Sequence, residues 1–215
     1  LAPLSHCALA MMGEGQVIDS DGKVVDSLVA MKKAGINPIE LKEKEGLALI
    51  NGTDGMLGML IMALDDLRNL TLSADITTAL SIEGLLGTDR VFAPDLHAGL
   101  RNQVGQATSA ANLYALLKGS EIVASHFEGD TRVQDAYSLR CAPQVNGAVR
   151  DIIDYATTIA ERELSSAIDN PVVLPDGRVE SNGNFHGAPV AYVLDFLAIA
   201  ATDLGSMAER RTDRM

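Results

Sequence analysis

Cations are scarce in this chain of 215 residues: 17 lysines and arginines stand against 29 aspartates and glutamates, a formal charge of −12. Such a surface repels phosphate, which argues against a nucleic-acid partner and against docking on an anionic membrane. Cysteine is scarcer still. Cys7 and Cys141 are too few for a disulfide framework, and no histidine–cysteine cluster has the spacing of a zinc site. No bound metal is therefore expected, and a reduced, cytoplasmic setting is. Long apolar runs are missing as well. The nearest approach, Gly46 to Leu64, carries Asn51, Thr53 and Asp54 near its middle together with four glycines, which makes it a poor membrane span. Internal repeats and low-complexity tracts are absent, and the 47% hydrophobic content is enough to bury a substantial core.

What is present is helical rhythm. Met56, Leu60, Ala63, Leu67 and Leu70 alternate steps of four and three, a heptad seam on a helix of about five turns. Val145, Val149, Ile152, Ala156 and Ile159 repeat it, as do Val190, Leu194, Leu197, Ala201, Leu204 and Ala208. Three matching seams predict a bundle whose helices cross at shallow angles. Ala74 to Leu86 reads as a separate helix ending near Gly84 or Gly87. Leu100 to Lys118, stopped by Gly119, is rich in Ala, Ser and Gly and belongs at a close helix crossing. Shorter helices are expected over Ser5 to Met12 and over Met31 to Ala34, the latter closed by Gly35. Two hairpins punctuate the chain: Gln16-Val17-Ile18 with Lys23-Val24-Val25, and Val172-Val173-Leu174 with Arg178-Val179-Glu180 around Asp176-Gly177. The methionines read as core filler. His6 reads as a packed or capping residue, and His97 and His126 as capping or solvent-exposed ones.

Chemistry concentrates in three stretches. From Gln134 to Arg140 an amide, a carboxylate, a phenol, a hydroxyl and a guanidinium fall within a few residues, and Pro143 can open a helix behind them. Buried without partners, each such group costs about 1–3 kcal/mol, so a site explains the density better than a core does. Arg140 can fork onto the two oxygens of a carboxylate, and Tyr137 shares its face if the segment is one helical turn. The alternative is an ion pair of Arg140 with Asp135 that ties a loop to a helix start. In the second stretch Asn51 stands before Gly52, where its amide can donate to an oxyanion or carboxylate or can simply serve a turn. The third is Asn184-Phe185-His186 between glycines at a helix entrance. Phe185 there is either the wall of a site for a flat substrate, with Asn184 orienting it, or a hydrophobic staple.

Lys44 to Thr53, Gln134 to Gln144, Ser166 to Pro171 and Gly183 to Gly187, together with Leu1 to His6 and Ser206 to Arg211, closely resemble the histidine ammonia-lyase branch of the aromatic amino acid lyases, in one register over essentially the whole chain. The resemblance implies a mainly α fold, a long-helix bundle of the fumarase/aspartase-like type with two small β-hairpins, of which residues 1–215 are the central part. It implies elimination of ammonia from L-histidine to give trans-urocanate, with a methylidene-imidazolone ring made from an internal Ala-Ser-Gly and no external cofactor. By motif, Asn51 would bond at the ring and substrate, Tyr137 would assist ring chemistry and proton handling, Arg140 would hold the substrate carboxylate and Phe185 would pack near the ring, supported by Gln134 and Asn184. A homotetramer is implied as well. Sibling chemistry on phenylalanine or tyrosine, an aminomutase, or a non-catalytic oligomerisation module are the alternatives.

The chain departs from the family's pattern in one respect. In relatives, Leu-Ala-Pro-Leu-Ser-His directly follows Ala-Ser-Gly-Asp, yet no Ala-Ser-Gly occurs here. A catalytic tyrosine base, the segment that selects the substrate and a later active-site glutamate are also unmatched. The chain opens without methionine and stops at Arg214-Met215 inside a helical pattern. It is expected to be a piece truncated at both ends and, alone, inactive.

Overall fold

In the computed structural model, which describes residues 1–215, Pro3 sits in the first turn of α1 (Ala2–Met11), where its missing N–H has no helical partner to lose. The helix therefore starts earlier than the predicted Ser5. Strands β1 (Gln16–Ile18) and β2 (Val24–Asp26) pair antiparallel with Val17 opposite Val25. The turn is fastened by Asp19, whose carboxylate accepts from the Asp21 and Lys23 amides, both at 2.9 Å. This register carries β2 one residue beyond the prediction. Asp26 then caps α2 (Ser27–Ala34), accepting from the Leu28 amide at 3.0 Å, and Gly35 closes that helix at φ 72°. The cap starts α2 four residues before the predicted Met31. Buried Ser27 donates to the Ala10 carbonyl at 2.7 Å and so pins α2 to α1.

The chain forms two units, one made of Leu1–Met59 with Glu163–Val190 and the other of Leu60–Arg162 with Ala191–Met215. The first also holds the short α3 (Glu45–Ala48) and a hairpin of β3 (Val172–Val173) and β4 (Val179–Glu180). Leu174 and Arg178, predicted as strand, instead flank its turn, with the Leu174 amide donating to the Arg178 carbonyl at 2.9 Å.

Three long helices dominate: α4 (Asp54–Gly84), α9 (Ala142–Leu164) and α10 (Ala188–Thr212). Between α4 and α9 come a 3-10 turn at Arg90–Phe92, α5 (Pro94–His97), α6 (Val104–Leu117), α7 (Glu121–Ala124) and α8 (Tyr137–Arg140). The sequence reading splits α4 into two helices, and the structure corrects it. Nothing between Leu70 and Ala74 breaks the helix, and Ser73 donates its hydroxyl to the Asn69 carbonyl at 2.9 Å, within the helix itself. At α6, Arg101-Asn102-Gln103 stay outside, so the helix starts at Val104 and not at Leu100.

The seams are also displaced. On α4 the steps run Leu57, Leu60, Leu64, Leu67, Thr71, Ala74, Thr78 and Ser81, all buried except half-buried Leu67. Predicted Leu70 lies exposed. On α9 the buried line is Ala142, Asn146, Val149, Ile153, Ala156 and Ala160, and on α10 it is Val190, Val193, Leu197, Ala200 and Leu204. The predicted seams share Leu60, Leu67, Val149, Ala156, Val190, Leu197 and Leu204 with these lines and otherwise fall beside them. The reason is that each helix is apolar on more than one side: Met59, Met62, Leu80, Tyr192 and Ile199 are exposed. α10 is the one helix long and apolar enough to span a bilayer, at a mean hydropathy of 1.4. Its buried line nevertheless has the spacing of a packed helix.

The small residues of α6 do bring helices together. A Cβ on Gly105 would strike the Gly147 carbonyl of α9, and one on Gly147 would strike the backbone of Gln106. The two backbones touch with nothing between them. Gly147→Ala is therefore expected to lower stability by about 1–3 kcal/mol through overpacking, read as a fall in the urea midpoint at unchanged slope. Ala79, Ile82, Phe92, Leu113, Leu117, Leu139 and Ala142 form a buried apolar cluster in the second unit.

Candidate active site

One turn of helix, α8, carries the most suggestive groups. Ala136 precedes it in extended conformation, and Ser138 and Leu139 are buried beneath it. Tyr137 and Arg140 are thereby turned to the other side, Tyr137 being 72% exposed. The Arg140 guanidinium lies 4.4 Å from the centroid of the Tyr137 ring, a cation–π contact. Its Nε donates to the Asp135 main-chain carbonyl at 2.9 Å, and its two Nη groups bond no other residue of the chain. Gln134, Tyr137 and Arg140 line one polar cleft of about 740 Å³, with Arg132, Asp213 and Arg214 also on its wall.

The ion pair considered for Arg140 and Asp135 does not form. The Asp135 carboxylate accepts instead from the Thr88 amide at 2.7 Å and faces Arg132 at 3.8 Å. Arg132 also binds Asp130 and draws that carboxyl down to about 2. From beneath, Arg211 of α10, 2% exposed, donates Nη1 to the Ser138 carbonyl of α8 at 3.2 Å. Burial pushes its guanidinium below the ordinary value, against the pull of the Asp75 charge.

Asp75 is a centre that the sequence reading missed. Fully buried on α4, it accepts from Ser109, from Asn112 Nδ2 at 2.8 Å, from Asn146 Nδ2 at 2.9 Å and from Arg150 Nη2 at 2.6 Å. Donors from α6 and α9 thus meet on one carboxylate. The signal was dispersed: the partners stand 34 to 75 positions away along the chain. His97 is corrected too. It is buried, its Nε2 bonding the Val91 carbonyl at 2.9 Å and its Nδ1 lying 3.1 Å from Gln106 Nε2. Half-buried His126 bonds the Ile122 and Gly87 carbonyls, at 3.0 and 3.2 Å.

Asn51, Asn184 and Phe185 belong to the first unit. Asn51 follows α3, its amide N–H bonding the Leu47 carbonyl at 2.9 Å, while its half-buried side chain bonds no other residue of the chain. The segment is fastened on both sides. Lys44 pairs with Asp169 and holds that carboxyl below its usual range, and Thr53 donates to Glu163 at 2.7 Å. Asn170 in turn accepts from the Asn182 amide at 2.9 Å, and the Asn182 side chain accepts from the Asn184 amide at 2.8 Å. Phe185 is 40% exposed, and His186 accepts from the Ala188 amide at 3.2 Å, capping the start of α10. Gly187 packs against Met56, whose side chain would have to move for a Cβ there, 2.6 Å from its sulfur. The structure therefore gathers Gln134, Tyr137 and Arg140 in one cleft and sets Asn51, Asn184 and Phe185 in loops of the first unit.

A family model described as aromatic amino acid lyase matches residues 1–215. The histidine ammonia-lyase of Streptomyces avermitilis is 68% identical over 215 residues, which are 100% of this chain and 42% of that protein. Among solved structures, the tyrosine aminomutase of Streptomyces globisporus superposes with a TM-score of 0.89 at 40% identity, over 99% of this chain and 44% of its own. The histidine ammonia-lyase of Trypanosoma cruzi superposes at 0.86 and 41% identity, over 99% of this chain and 39% of its own. The chain spans about two fifths of the length of the relatives it matches.

Proposed function

Because the chain belongs to the aromatic amino acid lyase family, we infer that the whole protein, of which these residues are the central helical part, eliminates ammonia from L-histidine to give trans-urocanate. The observation that carries this reading is Arg140. With Nε committed to the Asp135 carbonyl and both Nη groups uncommitted, its outer edge is a fork of two parallel donors in a polar cleft. That fork matches an amino-acid carboxylate. Tyr137 lines the same cleft and supplies a phenol for proton handling, and Gln134 an amide that steadies the substrate. In the first unit, Asn51 offers an unengaged amide, Phe185 a partly exposed ring and Asn184 a supporting amide.

Enzymes of this family use an internal methylidene-imidazolone group made from Ala-Ser-Gly, which supplies an electron sink for the elimination and replaces an external cofactor. No Ala-Ser-Gly occurs in these 215 residues. A free amide donor such as Asn51 fits a group with a carbonyl oxygen to be held, and the 215 residues on their own are expected to be inactive. The exposed apolar side chains of α4 and α10, Met59, Met62, Leu80, Tyr192 and Ile199, favour a homo-oligomer, in keeping with a tetramer, and the acidic surface a cytoplasmic protein without nucleic-acid or membrane partners.

The test is an ultraviolet assay of the whole protein with L-histidine beside L-tyrosine and L-phenylalanine, following the conjugated acid that each would yield. Turnover of histidine alone is expected. Turnover of tyrosine or phenylalanine instead would move the protein to a sibling activity, a reading favoured by the likeness to the tyrosine aminomutase. Turnover of none would overturn the lyase reading.

A further inference from the structure

We propose that Asp135 is a positioning residue: through its own backbone it aims the carboxylate-binding edge of Arg140. This rests on the reading of Arg140 as the group that holds a substrate carboxylate. A guanidinium has five donors on three nitrogens, and the edge it offers depends on which donor the protein keeps. Here Nε is kept, by the Asp135 carbonyl at 2.9 Å. The ring of Tyr137 covers one face of the guanidinium. What remains is the edge bearing the two Nη groups.

A main-chain carbonyl can aim a side chain only if it is itself fixed. The Asp135 side chain, on a residue 9% exposed, does this by accepting the Thr88 amide at 2.7 Å. Gly87, beside Thr88, lets the carboxylate approach the chain closely. A Cβ there would lie 3.1 Å from the same carboxylate oxygen and 3.1 Å from Ile82, so backbone and carboxylate are in close contact. Arg132 adds a second attachment, donating to the Leu85 carbonyl at 3.3 Å and to the Leu86 carbonyl just past the end of α4. The loop before α8 is thus sewn to the turn that follows the 31-residue α4. In this arrangement Asp135 never touches substrate. Its carboxylate holds the loop, the loop places the carbonyl, and the carbonyl sets the fork.

The experiment uses the whole enzyme and two inhibitors that share an imidazole, imidazole-4-propionate with a carboxylate and histamine without one. In Asp135→Ala, inhibition by imidazole-4-propionate is expected to weaken about tenfold to a hundredfold, as expected for a misplaced binding group, while inhibition by histamine is unchanged. Asp135→Asn keeps an oxygen to accept the Thr88 amide and is expected to recover most of the loss. Equal weakening of both inhibitors, or no change in either, in a variant whose circular dichroism matches the parent would overturn the proposal. Should Asp135→Ala not fold, Asp135→Asn and Thr88→Pro decide it: Thr88→Pro removes the amide donor and must reproduce the selective loss. Arg140→Lys separates the two levels of argument. If it loses the carboxylate preference and the Asp135 variants do not, positioning by Asp135 fails. If the parent enzyme shows no preference for the carboxylate, the role of Arg140 fails, and this proposal with it.

Discussion

Replacing Asp75 by alanine is expected to destabilise the second unit by about 3–5 kcal/mol, the range for removing one partner of a buried charge cluster. The carboxylate is fully buried and receives Ser109, Asn112, Asn146 and Arg150. Its loss leaves the Asn112 and Asn146 amides without this acceptor and the Arg150 guanidinium with only the long contact to the Thr71 carbonyl at 3.4 Å. Arg211, already disfavoured by burial, loses the one charge that opposes that effect. Asn146 and Arg150 have little slack, since Asn146 Oδ1 and Arg150 Nε are buried and bond nothing in the chain. Asp75→Asn should fall between, because one oxygen still accepts while the new N–H groups oppose Arg150. Urea denaturation checks both: the midpoint should drop in the order parent, Asn, Ala, with slope unchanged. A loss under about 1 kcal/mol for alanine, typical of an exposed pair, would mean that the network is not load-carrying.

Arg140→Lys is expected to lower kcat/KM for histidine by about 10²–10³-fold, equivalent to about 3–4 kcal/mol, in line with the loss of a desolvated hydrogen-bonded charge pair. Lysine keeps the charge but has neither a second parallel donor nor an Nε for the Asp135 carbonyl, and it gives up the stacked contact with Tyr137. Steady-state kinetics on the whole enzyme would show it. A variant within about threefold of the parent would indicate that simple charge, not the fork, holds the carboxylate, or that the carboxylate goes elsewhere. The circular dichroism spectrum should be unchanged, because the buried members of α8 are Ser138 and Leu139.

Much of this architecture was legible from local signals. Asp19 through Gly22 announces a turn, Gly35 a helix end, and the Ala, Ser and Gly residues of Leu100 to Lys118 a close crossing, each because small or turn-forming residues have a conformational or steric reason to be where they are. The long helices were legible as helical, α4 only as two pieces, but their buried stripes were not. On α4 the lower half of the seam is Thr71, Ala74, Thr78 and Ser81 with buried Asp75 beside it, and apolar periodicity cannot find so polar a seam. Leu70 and Leu80, which fit an apolar pattern, are exposed. His97 was misjudged for a related reason: its partners, Val91 and Gln106, come from a 3-10 turn and a separate helix. At the candidate site, the polar density of Gln134 to Arg140 marks residues that the fold gathers on one cleft. That Arg140 takes the carbonyl of Asp135 and not its carboxylate depends on Thr88, 47 positions earlier, which no motif in that stretch encodes.

The first unit is discontinuous: Leu1–Met59 closes upon Glu163–Val190. During translation, at about 5–20 residues per second, the later segment emerges roughly 5–20 seconds after the earlier one. Until then Lys44 has no Asp169 and Thr53 no Glu163. Asn51 thus waits in an unfinished loop while the helices of the intervening stretch are already being made, and a ribosome stalled in α9 would hold a chain with its first α-helices in place and the loop around Asn51 still untied.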